Sequence, residues 1–255
     1  MDVATWNVNS IRARLERVLD WLRQAVPDVL CLQELKADDD AFPREPLAEA
    51  GYHAAVHGQR TYNGVAILAR TPPENVAAGM DDGAPDPQAR LIAADVAGVR
   101  VFSAYVPNGQ TVGSEAWAYK LDWLGRLDAY LRRSVPAESP AVLCGDFNVA
   151  PDDKDVAYPD AWADSVLCGP PARAAMAAVR DAGWIDLLRR FHPDGGVYTW
   201  WDYRRGAFRR GDGLRLDHVW ATAPLAARCT AVRVDRDERA GPKPSDHAPV
   251  VATFS

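Results

Sequence analysis

The sequence has only four cysteines and five histidines, and neither CxxC nor HExxH spacing occurs among them. The common zinc patterns are therefore excluded. No serine or cysteine sits in a nucleophile-elbow pattern, so direct attack by water is favoured over a covalent intermediate in any hydrolysis the chain performs. No apolar run approaches the length needed to cross a bilayer, and the N-terminus enters a strand almost at once, without a basic and apolar leader. A soluble, cytoplasmic protein without membrane contact is expected. No Ser/Gly-rich linker, repeat or low-complexity tract divides the chain, and 48% hydrophobic residues is ample for a core, so residues 1–255 read as a single domain.

Positive charge is also in short supply. With 29 Lys and Arg against 35 Asp and Glu, the formal net charge is -6, which taken alone argues against a general nucleic-acid coat protein. The average conceals local structure, because acids cluster at 38–40, 81–82 and 152–155 while Arg204, Arg205, Arg209, Arg210 and Arg215 form a basic stretch. Acids that bind a divalent metal would leave a polyanion-facing site far less negative than the sum suggests.

What the chain does have is a set of apolar runs that stop abruptly on polar residues. Ala141-Val142-Leu143-Cys144 breaks at Gly145 into Asp146-Phe147-Asn148, as a strand buried on both faces and ending at a site would. Ala4-Thr5-Trp6-Asn7, Val29-Leu30-Cys31-Leu32-Gln33-Glu34 and Leu214-Arg215-Leu216-Asp217 repeat the design, and Ser245-Asp246-His247 precedes a strand over 248–254. Further strands are expected at 3–8, 52–57, 65–69, 90–96, 101–106, 198–203 and 231–234, with a surface excursion at 71–88. Helical spacing marks a helix capped by Asn9 or Ser10 and stopped by Pro27, and a long one over 115–133 with Trp117, Leu121, Leu124, Leu127 and Leu131 inward. Residues 184–191 read as a short helix. Consecutive strands often lack an intervening helix, so two sheets with helices outside fit better than a regular βαβ sequence.

The polar ends suggest one chemistry. Glu34 and Asp246 with Asn7 make a hard, incomplete oxygen shell suited to Mg²⁺, with Mn²⁺ as a substitute, and to substrate phosphate. His247 is a proton carrier that needs a partner to fix its tautomer, and Asp217 can serve. Asp146 with Asn148 can orient a water or protonate a leaving oxygen, and Tyr105 offers a phenolic donor. Taken singly each has a bland reading, Asp246 as a turn residue or Trp200 as core. Arg12 and Arg14, in a first helical turn where the dipole disfavours cations, face either solvent or an external anion.

Together the stretches TWNVNSIRAR, LCLQELK, YNGVAIL, YVPNG, GDFN, TWWDYR, GLRLDH and SDHAPV resemble the exonuclease III family of AP endonucleases, within the endonuclease/exonuclease/phosphatase superfamily. The resemblance spans nearly the whole chain. It implies a four-layer αββα sandwich of the DNase I-like kind, two mixed β-sheets packed face to face with helices outside, and a monomer. The implied activity is Mg²⁺-dependent hydrolysis of duplex DNA 5′ to abasic sites and from 3′ ends. By the same resemblance Asn7, Glu34 and Asp246 hold metal. Tyr105, Asp146, Asn148, Asp217 and His247 are catalytic. Arg12, Tyr62, Arg90, Asn108 and Lys120 match backbone-binding positions, and Trp200 and Leu214 match walls of a pocket for an extruded abasic sugar. The loop 163–171 falls where relatives probe DNA. Two alternatives remain: a phosphoesterase acting on RNA or a small phosphoester, and a catalytically silent DNA-binding protein.

Overall fold

The apolar runs become strands because alternate residues have somewhere different to go. The computed structural model describes residues 1–255. In chain order its elements are β1 (Asp2–Asn7), α1 (Ile11–Ala25), β2 (Val29–Gln33), α2 (Arg44–Glu49), β3 (His53–His57), β4 (Val65–Ala69), β5 (Glu74–Ala78), β6 (Leu91–Val96), β7 (Val99–Tyr105) and α3 (Glu115–Ser134). There follow β8 (Ala141–Asp146), α4 (Pro159–Trp162), α5 (Pro170–Asp181), β9 (Trp184–Asp186), α6 (Leu187–Phe191), α7 (Ala207–Arg210), β10 (Asp217–Thr222), α8 (Ala223–Ala226), β11 (Cys229–Val234) and β12 (Val250–Phe254).

One sheet runs β11-β12-β1-β2-β4-β3 and the other β5-β6-β7-β8-β10-β9. Each holds one parallel pair, β1 with β2 and β7 with β8. Parallel neighbours need a crossover rather than a hairpin, and the two long helices α1 and α3 are those crossovers. On β2, Val29 and Cys31 join Val142 and Cys144 of β8 in the core between the sheets. Leu30 and Leu32 point the other way, onto Val18 and Leu22 of α1. Leu143 of β8 turns outward onto Leu124 and Leu127 of α3. Period-two alternation thus separates two sheets and two helical layers, the expected four-layer sandwich. No helix is long and apolar enough to cross a membrane.

Several local expectations change. Within the excursion at 71–88 lies the edge strand β5, whose residues are mostly exposed and so carry no apolar alternation. The expected strand at 198–203 is instead an irregular seam, bridged only where Trp200 meets Leu214 and His247. Residues 184–191 divide into β9 and α6. In α3 the buried face includes Lys120, while Leu121 is only partly covered.

Gly145 shows why that run must break where it does. Its φ is +150°, and a Cβ there would lie 1.8 Å from the Ala104 carbonyl oxygen of the neighbouring strand. A side chain would push β8 away from β7 and carry Asp146 with it.

Arg215, read from sequence as part of a basic face, is internal and 1% exposed. It forms a fork with Asp155, at 2.6 Å from Nε and 3.1 Å from Nη2, and holds Asp186 with Nη1 at 2.7 Å. Arg189 completes the group through Asp155. Removing one partner from such a set strands buried charge. Arg215→Met is expected to lower unfolding free energy by about 3–5 kcal/mol, read from chemical denaturation. A loss below about 1 kcal/mol, the scale of an exposed pair, would contradict this account.

Candidate active site

The strand ends converge because register forces them to. Asp146 lies opposite Tyr105 across the parallel β7–β8 pair and opposite Asp217 across the antiparallel β8–β10 pair. From the other sheet, Asn7 ends β1 and Glu34 follows β2. The Asn7 side-chain amide spans the two sheets, donating at 2.9 Å to both Glu34 and Asp146. Its Oδ1 is taken by the Asn9 backbone N–H at 3.0 Å. Asn7 therefore presents N–H to the rim rather than the oxygen a metal ligand would offer.

Asp146 is 1% exposed and held at both oxygens. Its Oδ1 accepts the Asn148 backbone N–H at 2.8 Å, and its Oδ2 lies 3.7 Å from His247 Nε2. His247 Nδ1 meets Asp217 Oδ2 at 2.8 Å. The opposite oxygen of Asp217 is buried with no hydrogen-bond partner. Asn148 is fixed in turn by Val106 O at 3.0 Å and by the Asn108 amide at 3.1 Å. Ser245 anchors the last strand end, donating to Asn7 O at 2.6 Å and accepting the His247 backbone N–H.

Burial sets the electrostatics. It pushes the Asp146 carboxyl well above the usual range, with Asp217 adding to the rise and His247 opposing it. For His247 burial alone would lower the pKa, but the carboxylates of Asp217 and Asp146 outweigh it and lift the imidazole to about 10. At neutral pH the imidazole is cationic. The Tyr105 phenol is raised by burial and by the charges of Glu34 and Asp146, so it stays a neutral donor.

Glu34 and Asp246 face the same rim but do not touch. Lys36 Nζ lies 3.0 Å from Glu34 and donates to Asn9 Oδ1 at 2.6 Å, while the Asn9 amide reaches Asp246 at 3.0 Å. Trp200 donates its indole N–H to the other Asp246 oxygen at 3.1 Å. Burial would raise Asp246, yet the His247 charge and these two donors hold it below the usual range. The ammonium against Glu34 shows a place that accepts positive charge. A second acid-rich place is formed by Asp146, Asp217 and His247, whose ligand atoms lie within 4.8 Å of one another. The carboxylate oxygens here are hard donors that fit a divalent cation, to which a protonated His247 offers no nitrogen. The backbone here is strained: Asn9, Ser10, Glu34, Lys36 and Asn148 all have positive φ, a cost usually tolerated at functional sites.

The remaining expected residues divide. Tyr62, 68% exposed, lines a cleft of about 520 Å³ together with Arg90, Tyr105 and Asn108. Arg90 Cζ sits 4.8 Å from the Tyr105 ring centroid, and the residue is nearly buried. Asn108 also lines a second cleft, of about 870 Å³, with Trp162, Trp200, Tyr203 and Asp246. Arg12 is exposed on α1. Two expectations are corrected. Leu214 is fully buried, wedged behind Trp200 rather than lining the cleft. Lys120 is 0% exposed, its ammonium spent on three backbone carbonyls and out of reach of a phosphate in solvent.

Sequence reasoning gave Lys36 and Ser245 no role and offered Asn9 only as an alternative to Ser10 for the helix cap, which Ser10 provides. Each of the three stands within two residues of an assigned one, which was the available signal.

A two-sheet sandwich that gathers acids, amides and an acid-paired imidazole at one strand-end rim defines a hydrolase of phosphoesters. More particularly, the chain belongs to the endonuclease/exonuclease/phosphatase family, whose model matches residues 4–247. It is 34% identical to exodeoxyribonuclease III of Haemophilus influenzae, with 100% of each chain covered. An AP endonuclease from Archaeoglobus fulgidus superposes with TM-score 0.98 at 44% identity, covering 100% of this chain and 99% of that one. The 3′ phosphatase NExo from Neisseria, bound to a product DNA hairpin, gives TM-score 0.97 at 43% identity, covering 100% and 99%.

Proposed function

We propose that this chain is a DNA-repair nuclease of the exodeoxyribonuclease III type, hydrolysing phosphodiesters 5′ to abasic sites and removing nucleotides or blocking groups from 3′ ends of duplex DNA. The observation that carries the reading is the environment of Asp146: a buried carboxyl fixed by the Asn148 N–H, shared by the Asn7 amide, and faced by an imidazolium that Asp217 supports.

The residues divide the work by charge. Asp146, its proton affinity raised, takes a proton from the water whose oxygen bonds to phosphorus and returns it to the oxygen that departs as the old P–O bond breaks. His247, cationic and locked by Asp217, donates to a phosphoryl oxygen on which negative charge grows. Tyr105 offers a neutral hydroxyl to the same phosphate, and the Asn108 to Asn148 link keeps the turn after β8 from drifting. Glu34, with Asp246 and Asn9 close by, would hold a divalent ion such as Mg²⁺ or Mn²⁺, which would supply Lewis acidity toward the phosphate. The two clefts share Asn108, one presenting Tyr62 and Arg90 and the other Trp162, Trp200 and Asp246. These suit a duplex backbone and an extruded sugar respectively.

The direct test is a duplex carrying one abasic site, incubated with and without Mg²⁺, with product length and end chemistry read on a sequencing gel. Cleavage 5′ to the lesion that requires the ion is expected. Cleavage of RNA or a small phosphoester alone would replace this reading. Glu34→Gln is expected to raise the Mn²⁺ dissociation constant of the DNA-free protein about tenfold or more, since it removes a formal negative charge from the carboxylates that would hold the ion. An unchanged binding isotherm would remove Glu34 from the shell.

A further inference from the structure

Lys120 carries a charge that the proposed chemistry leaves unused. It stands three residues after Trp117 and four before Leu124, on the apolar face of α3, and is 0% exposed. Burial lowers the pKa of Lys120 to about 7, so an ammonium persists there only if its donors are satisfied. All three are: Nζ donates to Asn108 O at 3.1 Å, to Asn148 O at 2.7 Å and to Val166 O at 2.6 Å.

Those carbonyls belong to three separate loops. Asn108 follows β7, Asn148 follows β8, and Val166 precedes α5. Each loop carries part of the site. Asn108 braces the Asn148 side chain, Asn148 fixes Asp146, and Ser165, Val166 and Leu167 line the cleft that also holds Trp162 and Trp200. The lysine stem packs closely against the loop after β7. A Cβ on Gly109, at φ +92°, would meet Lys120 Cδ at 3.0 Å and the Trp117 ring at 3.1 Å.

We propose that Lys120 is a positioning residue that pins the Asp146–Asn148 turn to the cleft wall at 165–167, so that one buried ammonium holds the cutting group in register with the pocket. The inference rests on the nuclease reading. No charge from Lys120 reaches DNA, and its effect passes entirely through carbonyls.

The test uses Lys120→Met, which keeps the chain length and removes the donors. Turnover per folded molecule on the abasic-site duplex is expected to fall about a hundredfold, the scale of an ångström-sized misplacement. The slope of log affinity against log salt is expected to stay unchanged, and backbone hydrogen exchange to quicken at both 147–149 and 165–167. A slope smaller by about 1, as for a lost phosphate contact, would overturn the proposal. So would normal turnover per folded molecule, which marks a lysine that matters only for stability. If the variant does not fold, reductive methylation of the intact protein decides. Lys120 should resist while the exposed Lys243 reacts, and a Lys120 that is modified and then shielded by DNA would contradict the clamp. Asp146→Asn tests the nuclease reading separately, because its activity should vanish whether or not the clamp exists.

Discussion

Asp146→Asn is expected to lower turnover on an abasic-site duplex by about a hundred- to ten-thousand-fold, the range of a positioned acid–base group, while affinity for that duplex is kept or improved. The asparagine is the same size, and its Oδ1 can still accept the Asn148 N–H that fixes the turn. What disappears is the basic oxygen that lies 3.7 Å from His247 and accepts the Asn7 amide. Removing a buried negative charge also lowers repulsion toward phosphate, so binding has no reason to weaken. Steady-state kinetics and fluorescence anisotropy separate the two effects. A parallel loss of turnover and affinity would make Asp146 a scaffold for binding, and the assignment of proton transfer would fail.

Much of this rim was legible in the sequence for a simple reason. A strand buried on both faces tolerates few polar side chains, and only hydrogen-bonded ones such as Thr5, Gln33 and Ser103, so the abrupt change from Leu143-Cys144 to Gly145-Asp146 marks the point where the backbone leaves the sandwich. The same logic located Asn7 and Glu34, whereas Asp217 opens β10 rather than ending a strand, and the run 214–216 before it lies outside the sheet. What sequence could not give was contact across the sheets. That Asn7 spans Glu34 and Asp146 depends on how two sheets are aligned, and no pattern within one strand encodes it. Lys120 is an instructive miss. The resemblance made it a DNA-backbone position, and its spacing from Trp117 and Leu124 on α3 carried no weight, because a lysine beside an apolar stripe is usually explained by its long stem reaching water. Only the three carbonyls arriving from distant loops make burial tolerable. Leu214 and Arg215 mislead for the opposite reason, because a residue just before a strand end can lie behind the site as easily as in it. The edge strand β5 had no signal at all, being exposed along most of its length.

Asp217→Asn is expected to reduce turnover by about ten-thousand-fold, by analogy with the amide replacement in other acid–imidazole pairs, and to do so with a pH signature that no other substitution at the rim shares. Asp217 is the largest contributor raising His247 to about 10, against the lowering effect of burial. With the carboxylate gone, the imidazole loses its proton at a much lower pH. The alkaline limb of kcat should therefore move to lower pH, and the imidazole resonances of His247 should titrate with it. Stability follows the same linkage. A histidine whose folded pKa exceeds its unfolded value of 6.5 stabilises the native state fully below 6.5, and that contribution is lost as pH rises through about 10. The destabilisation caused by Asp217→Asn should accordingly be greatest at and below pH 6.5 and fade toward pH 10. Asp146→Asn removes only a secondary contributor and should shift His247 less. If His247 in the intact protein titrates near its ordinary value, the cationic imidazole is lost from the mechanism, and Asp217 reduces to a group that fixes a tautomer.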